Sequence, residues 1–364
     1  MLHFSRFGAV DPYLAFTSGG KKIGVASVVE YGRMIQESAF DEVIFLPDMQ
    51  KEVARQLKLH NGDLPNTSQL VQHLAKIYKI SEFRIGDRFP AGLALELQKA
   101  GTKLEAALPG MLLPEREIKN AVEVEALRKG NEASAAGFKA VAQALKDSKI
   151  RNGVLIHQGR VLTAERLREL IAQACLAKGA VAQHTITAAG DQACDCHNAG
   201  YGPIRANELI VVDIFPRRMD DGYWGDMTRT FLKGKASDAQ RRLVRTVRKG
   251  YDLSLELIKP GVTGGSVHNA VADFFTKEGY ETNKNSDQLK GFFHALGHGV
   301  GLEIHEAPIM RANSKWRFKK GMVITTEPGL YYRGLGGCRI EDVVHVVTGG
   351  CEKISNAPYR WEIP

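Results

Sequence analysis

Apolar and polar positions change period several times along this chain, and those changes predict its elements. From residue 22 to about 110, short apolar runs alternate with segments of helical period. Residues 23–30, 42–46, 83–85 and 103–108 read as strands. Residues 50–59, 68–79 and 91–100 read as helices, the second with Ser68 as its N-cap. The stretch 108–114 then breaks both periods with two prolines and a glycine. A smaller amino-terminal α/β domain over 1–112 is therefore expected, followed by a larger domain over 113–364. The first domain shows no catalytic constellation, and a lid, a dimer contact or a gate on substrate length would suit it. Gly19-Gly20-Lys21-Lys22 lacks phosphate-loop spacing and reads as a turn.

The second domain repeats one plan. A helical stretch over 115–146 and a helix over 163–178, capped by Thr163 and stopped by Gly179, lead to a strand candidate ending near residue 190. Strands over 209–215 and 226–231 follow, joined by a turn at 218–225. A basic helix opened by Ser237 and ended by Pro260-Gly261, and an amphipathic helix over 266–277, lead to strands at 322–327 and 338–344. Each half ends in a strand–turn–strand with one acid per arm, Asp213 and Asp226 in the first and Glu327 and Glu341 in the second. Asp213 lies among Ile210, Val211, Val212 and Ile214, where an ionised carboxylate is costly unless paired or metal-bound. Arg217 or Arg218 could supply a purely structural pair. Strand alternation puts Asp226, Thr228 and Thr230 on one face, and Arg339 and Glu341 on another.

Composition narrows the class. Hydrophobic residues make up 44% of the 364 and charged ones 25%, as in an ordinary globular protein. Five cysteines at irregular spacing argue against a disulfide framework. With no apolar leader over residues 1–16 and no run of membrane-spanning length, the cytoplasm is expected. The net charge of +8 is densest at Arg241, Arg242, Arg245, Arg248 and Lys249. Without interleaved aromatics this reads as a solvated helix face rather than a nucleic-acid surface.

The candidate chemistry centres on residues 294–306, where His294, His298 and His305 are separated by glycines. Four carboxylates and one imidazole can hold two divalent cations with charges balanced, which points to a two-metal hydrolase. Cys194-Asp-Cys196-His197 lacks the second thiolate pair of a structural zinc site, so only His197 keeps a claim.

At Gly297-His298-Gly299, Thr326-Glu327-Pro328-Gly329 and Arg339-Ile340-Glu341-Asp342 the sequence resembles the metallopeptidases that include Xaa-Pro dipeptidase (prolidase), aminopeptidase P and methionine aminopeptidase. The match runs from about residue 115 to the end, and His305-Glu306 with the amino-terminal domain make it more similar to the proline-specific branch. The resemblance implies an α+β pita-bread catalytic domain of two pseudo-symmetric halves, and a homodimer. It implies that Asp213 binds the second metal, that Asp226 and Glu341 bridge, and that His298 and Glu327 complete the first metal's shell. It further places His197, His294 and His305 on the substrate side and Arg339 beside the shell. Asp213 and Asp226 stand two residues further apart than is usual there. An assignment through Asp220 or Asp221 instead would lose the strand context.

Two metals on a shared water lower its pKa towards neutrality and polarise the scissile carbonyl. Glu327 is the candidate to carry the proton to the leaving nitrogen, and His305 to hydrogen-bond the oxyanion. Four oxygen donors and one nitrogen favour manganese, with cobalt or zinc as substitutes. The expected substrate is a peptide with proline after the scissile bond. Arg311 and Arg333 are candidates for a carboxylate clamp. A metal-free creatinase-like enzyme and a non-catalytic binding relative compete with this reading, and the intact ligand set speaks against both.

Overall fold

The computed structural model describes residues 2–60, 62–107, 112–285 and 289–364. Most of the stretch expected to mark the domain boundary, 108–111, lies outside them, including the end of the strand expected at 103–108. The chain divides into two compact units, Met1–Arg116 and Glu117–Pro364.

In the first unit the strands Ala15–Ser18, Lys21–Ala26 and Glu42–Phe45 form one sheet, the last pair parallel. Val25, Met49, Val53, Leu70 and Leu74 join this sheet to the helices Leu46–Leu57 and Thr67–Ile77. The second of these helices begins one residue before the expected cap. Asn66 and Gln69 form its capping box, and Ser68 sits inside the first turn.

The second unit opens with helix α1 (Ala121–Asp147), started by a capping box between Asn120 and Glu123. Helix α2 (Ala164–Leu176) follows, with Thr163 Oγ1 accepting the Arg166 N–H at 3.3 Å. Strands β1 (Ile186–Ala189), β2 (Ile210–Ile214) and β3 (Met227–Lys233) form an antiparallel sheet against these helices. Helices α3 (Asp238–Leu257) and α4 (Gly264–Lys277) open the second half. Its strands are β4 (Gly297–Gly299), β5 (Glu306–Met310), β6 (Val323–Thr326), β7 (Gly329–Tyr332), β8 (Gly336–Arg339) and β9 (Asp342–Val347). One sheet contains β5, β4, β6 and β9 in that order, and β7 pairs with β8 as a separate hairpin.

Each half has its own core. Phe138, Leu167, Ile171, Ile210, Val212, Ile214 and Phe231 pack in the first. Leu243, Val247, Tyr251, Val271, Phe275, Phe292 and Ile324 pack in the second. Fully burying one such side chain stabilises by about 1.5–3 kcal/mol. On β2, Ile210, Val212 and Ile214 are spent on that core, so alternation sends Val211 and Asp213 to the opposite face. On β3, Met227 and Phe231 take the core side and leave Thr228 and Thr230 facing the same way as Asp213.

Two elements that carry the acids differ from expectation. Asp226 stands just before β3 rather than within it, and the strand expected at 338–344 is broken at Ile340 and Glu341. There the backbone crosses between pairs. The Ile340 N–H donates to the Pro328 carbonyl and the Glu341 N–H donates to the Thr228 carbonyl of the other half. The basic face of α3 is largely satisfied within the protein. Arg241 pairs with Glu362 at 2.7 Å, Arg248 with Asp252 at 2.9 Å, and Arg242 donates to the Glu278 carbonyl. Among the described residues, no helix is long and apolar enough to cross a membrane.

Candidate metal centre

Four chain segments from both halves deliver acids to one buried place. Asp213 comes from β2 and Asp226 from the end of the turn after it. Glu327 follows β6, where its N–H donates to the Leu296 carbonyl, and Glu341 occupies the crossing before β9. His298 sits on β4, held by its N–H donating to Thr325 Oγ1 at 3.1 Å. Ligand-type atoms of Asp226, His298 and Glu341 all lie within 4.8 Å of one another. His298 Nε2 is 3.5 Å from Asp226 Oδ2 and 3.4 Å from Glu327 Oε1. Nδ1 of the same ring lies 3.0 Å from the Gly299 carbonyl, which assigns the proton to Nδ1 and leaves the Nε2 lone pair facing the acids.

Asp213 joins this cluster through Arg339. The guanidinium donates to Asp213 Oδ2 at 2.8 Å, to Thr228 Oγ1 at 3.2 Å and to the Tyr331 hydroxyl at 2.9 Å. Thr228 in turn donates to Glu341 Oε2 at 2.7 Å. Arg339 therefore fixes two acids, one directly and one through a hydroxyl. The structural pairing considered for Asp213 is supplied from here, since Arg217 donates to the Gly222 carbonyl and Arg218 binds Asp220 and Asp221. Those two acids are thus engaged within the turn, and the longer spacing leaves Asp226 in place. Gly225 seats the turn on α1, where its N–H donates to the Pro216 carbonyl and a Cβ on it would lie 2.2 Å from the Gly130 carbonyl oxygen. Beside this crossing, Asn131 Oδ1 accepts the Asp226 N–H at 3.1 Å.

The electrostatics of the cluster are those of crowded acids in a dry place. Burial first, then the charges of Asp213 and Glu327, hold the Asp226 carboxyl well above its usual range. Burial and Asp226 do the same to Glu341, and burial pushes Glu327 up to about 8 against the opposing pull of Arg339. Burial, reinforced by His305, pushes His298 down to about 3, so its ring is neutral and a competent ligand. Asp213 Oδ1 is buried without a hydrogen-bond partner. The orphaned oxygen of Asp213, the three crowded acids Asp226, Glu327 and Glu341, and a neutral imidazole lone pair are the donor set that divalent cations satisfy. The residues fit the metals that the fold implies.

The other imidazoles lie around this centre. The His305 ring meets His298 edge-on with centroids 4.4 Å apart, and burial followed by the nearby His197 lowers its pKa. His294 has both nitrogens engaged within the protein, Nδ1 with the Ala295 carbonyl at 2.7 Å and Nε2 with the Tyr331 hydroxyl at 3.0 Å. Contact between His294 and a substrate would require exchange of the tyrosine. Tyr331, Asn131 and Thr228 frame the site, yet the sequence singles out only Thr228 among them. Tyr331 is one of two adjacent tyrosines after Glu327-Pro328-Gly329, and nothing in that string separates it from Tyr332. Cys196, set aside as a zinc ligand, is placed near Tyr331 and Arg339 with its thiol pushed up to about 11 by burial, and so stays protonated. Arg311 and Arg333 are exposed.

Comparison with known proteins agrees with this geometry. Metallopeptidase family M24 matches residues 125–348, which is more than half of the chain. A Xaa-Pro dipeptidase of Pyrococcus furiosus is 34% identical over 172 residues, a region spanning 47% of each protein. The chain thus spans about half the length of that curated relative in the aligned region. The Xaa-Pro dipeptidase of Pyrococcus horikoshii is 25% identical over 95% of this chain and 91% of its own length. Among solved structures, an X-Pro aminopeptidase from Thermotoga maritima superimposes with a TM-score of 0.80 at 22% identity, covering all of this chain and 93% of that one. A prolidase from Pyrococcus furiosus gives 0.78 at 23% identity, over 98% and 94% respectively. These likenesses show the fold, a pita-bread catalytic unit preceded by an amino-terminal α/β unit. With the family matched across the segments that carry all five clustered donors, the chain belongs to metallopeptidase family M24.

Proposed function

We propose that this protein is a two-metal Xaa-Pro peptidase of the dipeptidase type, cleaving the bond before proline. The observation that carries the reading is the convergence of Asp226, His298 and Glu341 within 4.8 Å, with Glu327 on the same imidazole nitrogen and Asp213 tied in by Arg339. The names of the Pyrococcus relatives favour the dipeptidase over the aminopeptidase.

Asp213, Asp226, His298, Glu327 and Glu341 would together hold the two cations. When bound, such cations supply a water acidic enough to ionise near neutrality and an electrophilic pull on the scissile carbonyl. The protein's residues do the rest. Glu327 takes up the proton that the attacking water loses and hands it to the prolyl nitrogen, which is a tertiary amide and must be protonated as it departs. His305, neutral because of burial, donates an N–H to the carbonyl oxygen as negative charge gathers there. His197 is near enough to help lower the pKa of both His305 and His294, which supports its reading as a substrate-side imidazole. Arg339 keeps Asp213 and, through Thr228, Glu341 from rotating away from the centre. Manganese is the first choice for four oxygen donors and one nitrogen, with cobalt and zinc as substitutes. The cytoplasm suits a chain whose five cysteines are all free, and a homodimer is the proposed assembly.

The test is hydrolysis by manganese-loaded protein of three substrate sets, Xaa-Pro dipeptides, Xaa-Pro-Xaa tripeptides and peptides with amino-terminal Met. Preferential cleavage of the first is expected. Turnover of the Met peptides alone, or of none of the three, would refute the proposal.

A further inference from the structure

His305 is carried by a short loop, 301–305, with no regular structure of its own. Such a loop is a poor platform for a group that must meet a developing charge within a few tenths of an ångström, unless something outside it holds it still. The loop is folded tightly on itself. The Gly301 N–H donates to the Glu303 carbonyl at 3.1 Å, and a Cβ on Gly301 would lie 2.2 Å from Glu306 Oε1. Three bonds then tie the loop and the adjoining Glu306 to the rest of the unit. The Trp224 backbone N–H donates to the Gly301 carbonyl at 3.1 Å, and its indole Nε1–H donates to the Leu302 carbonyl at 3.2 Å. Lys119 Nζ donates to Glu306 Oε1 at 2.6 Å.

Both anchors belong to one rigid region. Lys119 is 6% exposed, unusual for a lysine, and its own N–H donates to the Gly321 carbonyl at 2.8 Å. It immediately precedes the Asn120 cap of α1. Trp224 ends the long turn, which is fixed to the same helix start by the Tyr223 hydroxyl donating to Glu123 Oε1 at 2.7 Å. The Tyr223 and Trp224 rings also pack on Val124, Leu127, Val300 and Val323. The turn that departs from the usual spacing thus ends in the tryptophan that grips the histidine loop.

From this we infer that Trp224 and Lys119 are positioning residues for His305, holding its loop against the start of α1 so that the imidazole faces the reacting carbonyl. The inference rests on the reading of His305 as an oxyanion-side donor in a Xaa-Pro peptidase. Neither residue touches the clustered acids, so their loss should spare the metals and act on turnover.

The test combines two readouts on W224F and K119M in the full chain, with K119R as the conservative control. Hydrogen–deuterium exchange of peptides spanning 300–308 should rise at least about tenfold in both variants, while β4 and β6 keep their protection and melting and manganese titration stay near wild type. In the peptidase assay W224F should lower kcat about tenfold with KM little changed, K119R should recover most of what K119M loses, and W224F added to H305A should cost less than twofold. Unchanged loop exchange overturns the clamp, whether or not the protein proves to be a Xaa-Pro peptidase. Full additivity of W224F and H305A, or a loss that follows melting or metal affinity, overturns the positioning role. An inactive wild type with a loosened loop in W224F would refute the proposed activity and leave the clamp standing.

Discussion

Gly225→Ala is the sharpest test of how the fold sets the centre. The added methyl would lie 2.2 Å from the Gly130 carbonyl oxygen, 2.3 Å from the Gly130 carbonyl carbon and 2.7 Å from the Asn131 nitrogen. All three are backbone atoms in the middle of α1, and ordinary contact begins only at 3.4 Å. The helix cannot yield, because Gly137 on it is already pressed against Ile214 and Ile171. The turn must therefore lift, and with it Asp226, whose N–H is bonded to Asn131 Oδ1 at 3.1 Å. Gly225 has no left-handed φ, so alanine is acceptable to the backbone itself. On chain entropy alone the change would stabilise by about 0.4–1 kcal/mol. Overpacking against fixed atoms instead costs about 1–3 kcal/mol, a fall of roughly 2–10 °C in melting temperature for a unit of this size. A carboxylate displaced by about 1 Å loses on the order of a hundredfold in catalysis. Thermal melting and manganese titration of G225A against wild type decide the matter. A variant that melts higher, or binds manganese with wild-type affinity and retains full activity, refutes the argument that this backbone crossing places Asp226.

Other outcomes follow from the same geometry. Arg339→Met leaves the Asp213 carboxylate buried without its cation, so a loss of about 3–5 kcal/mol is expected in denaturant unfolding of metal-free protein, partly recovered on adding manganese. Glu341→Ala should abolish binding of at least one cation and nearly all peptidase activity, as should a chelator on wild type, whose effect added manganese reverses; full activity in either case contradicts the assignment. In metal-free protein burial lifts Glu327 from 4.5 to about 8, with Asp226 and Glu341 also raised, so at pH 7 Glu327 is about nine-tenths protonated and cation binding must expel at least about one proton. Calorimetry in buffers of differing ionisation enthalpy should show that release and a metal affinity climbing from pH 6 to 8. Because the folded value of Glu327 lies above the unfolded one, its contribution to the metal-free protein is full below about pH 4.5 and lost as pH rises to about 8, while His298, held down to about 3, works the other way below pH 6.5. Stability should therefore fall from about pH 6.5 to 8, and a flat profile there would contradict the crowding of acids.

What the sequence reveals about this fold is what short-range periodicity encodes. Caps at Thr163 and Ser237, the stop at Gly179 and the apolar run of β2 are local matters, settled by a few neighbouring residues. The acids were legible for the same reason, since Asp213 in an apolar strand and Glu327 before a proline conflict with their surroundings unless something compensates them. The break at Ile340 and Glu341 was not legible. Apolar alternation runs straight through it, and only pairing with Pro328 and Thr228, the latter 113 residues away, diverts the backbone.

The frame around the acids was hidden for a further reason. Asn131 lies 95 residues from the Asp226 N–H it accepts, and Trp224 lies 78 residues from the Leu302 carbonyl it binds. A buried asparagine beside a glycine in a helix reads as a mild helix defect, and a tryptophan at a turn reads as surface cover. Each becomes a scaffold residue only when two distant segments meet at backbone distance, and Gly130 and Gly225 allow that meeting by having no side chains. A donor set is visible in sequence because its chemistry conflicts with its neighbours. A scaffold is not, because its residues are satisfied, and satisfied residues leave no local conflict to find. The turn from 216 to 225 shows both sides of this. Its two extra residues raise doubt about Asp226 in sequence, and in the fold Arg218 binds the surplus acids, Gly225 seats the turn on α1 beside Asp226, and Trp224 grips the histidine loop.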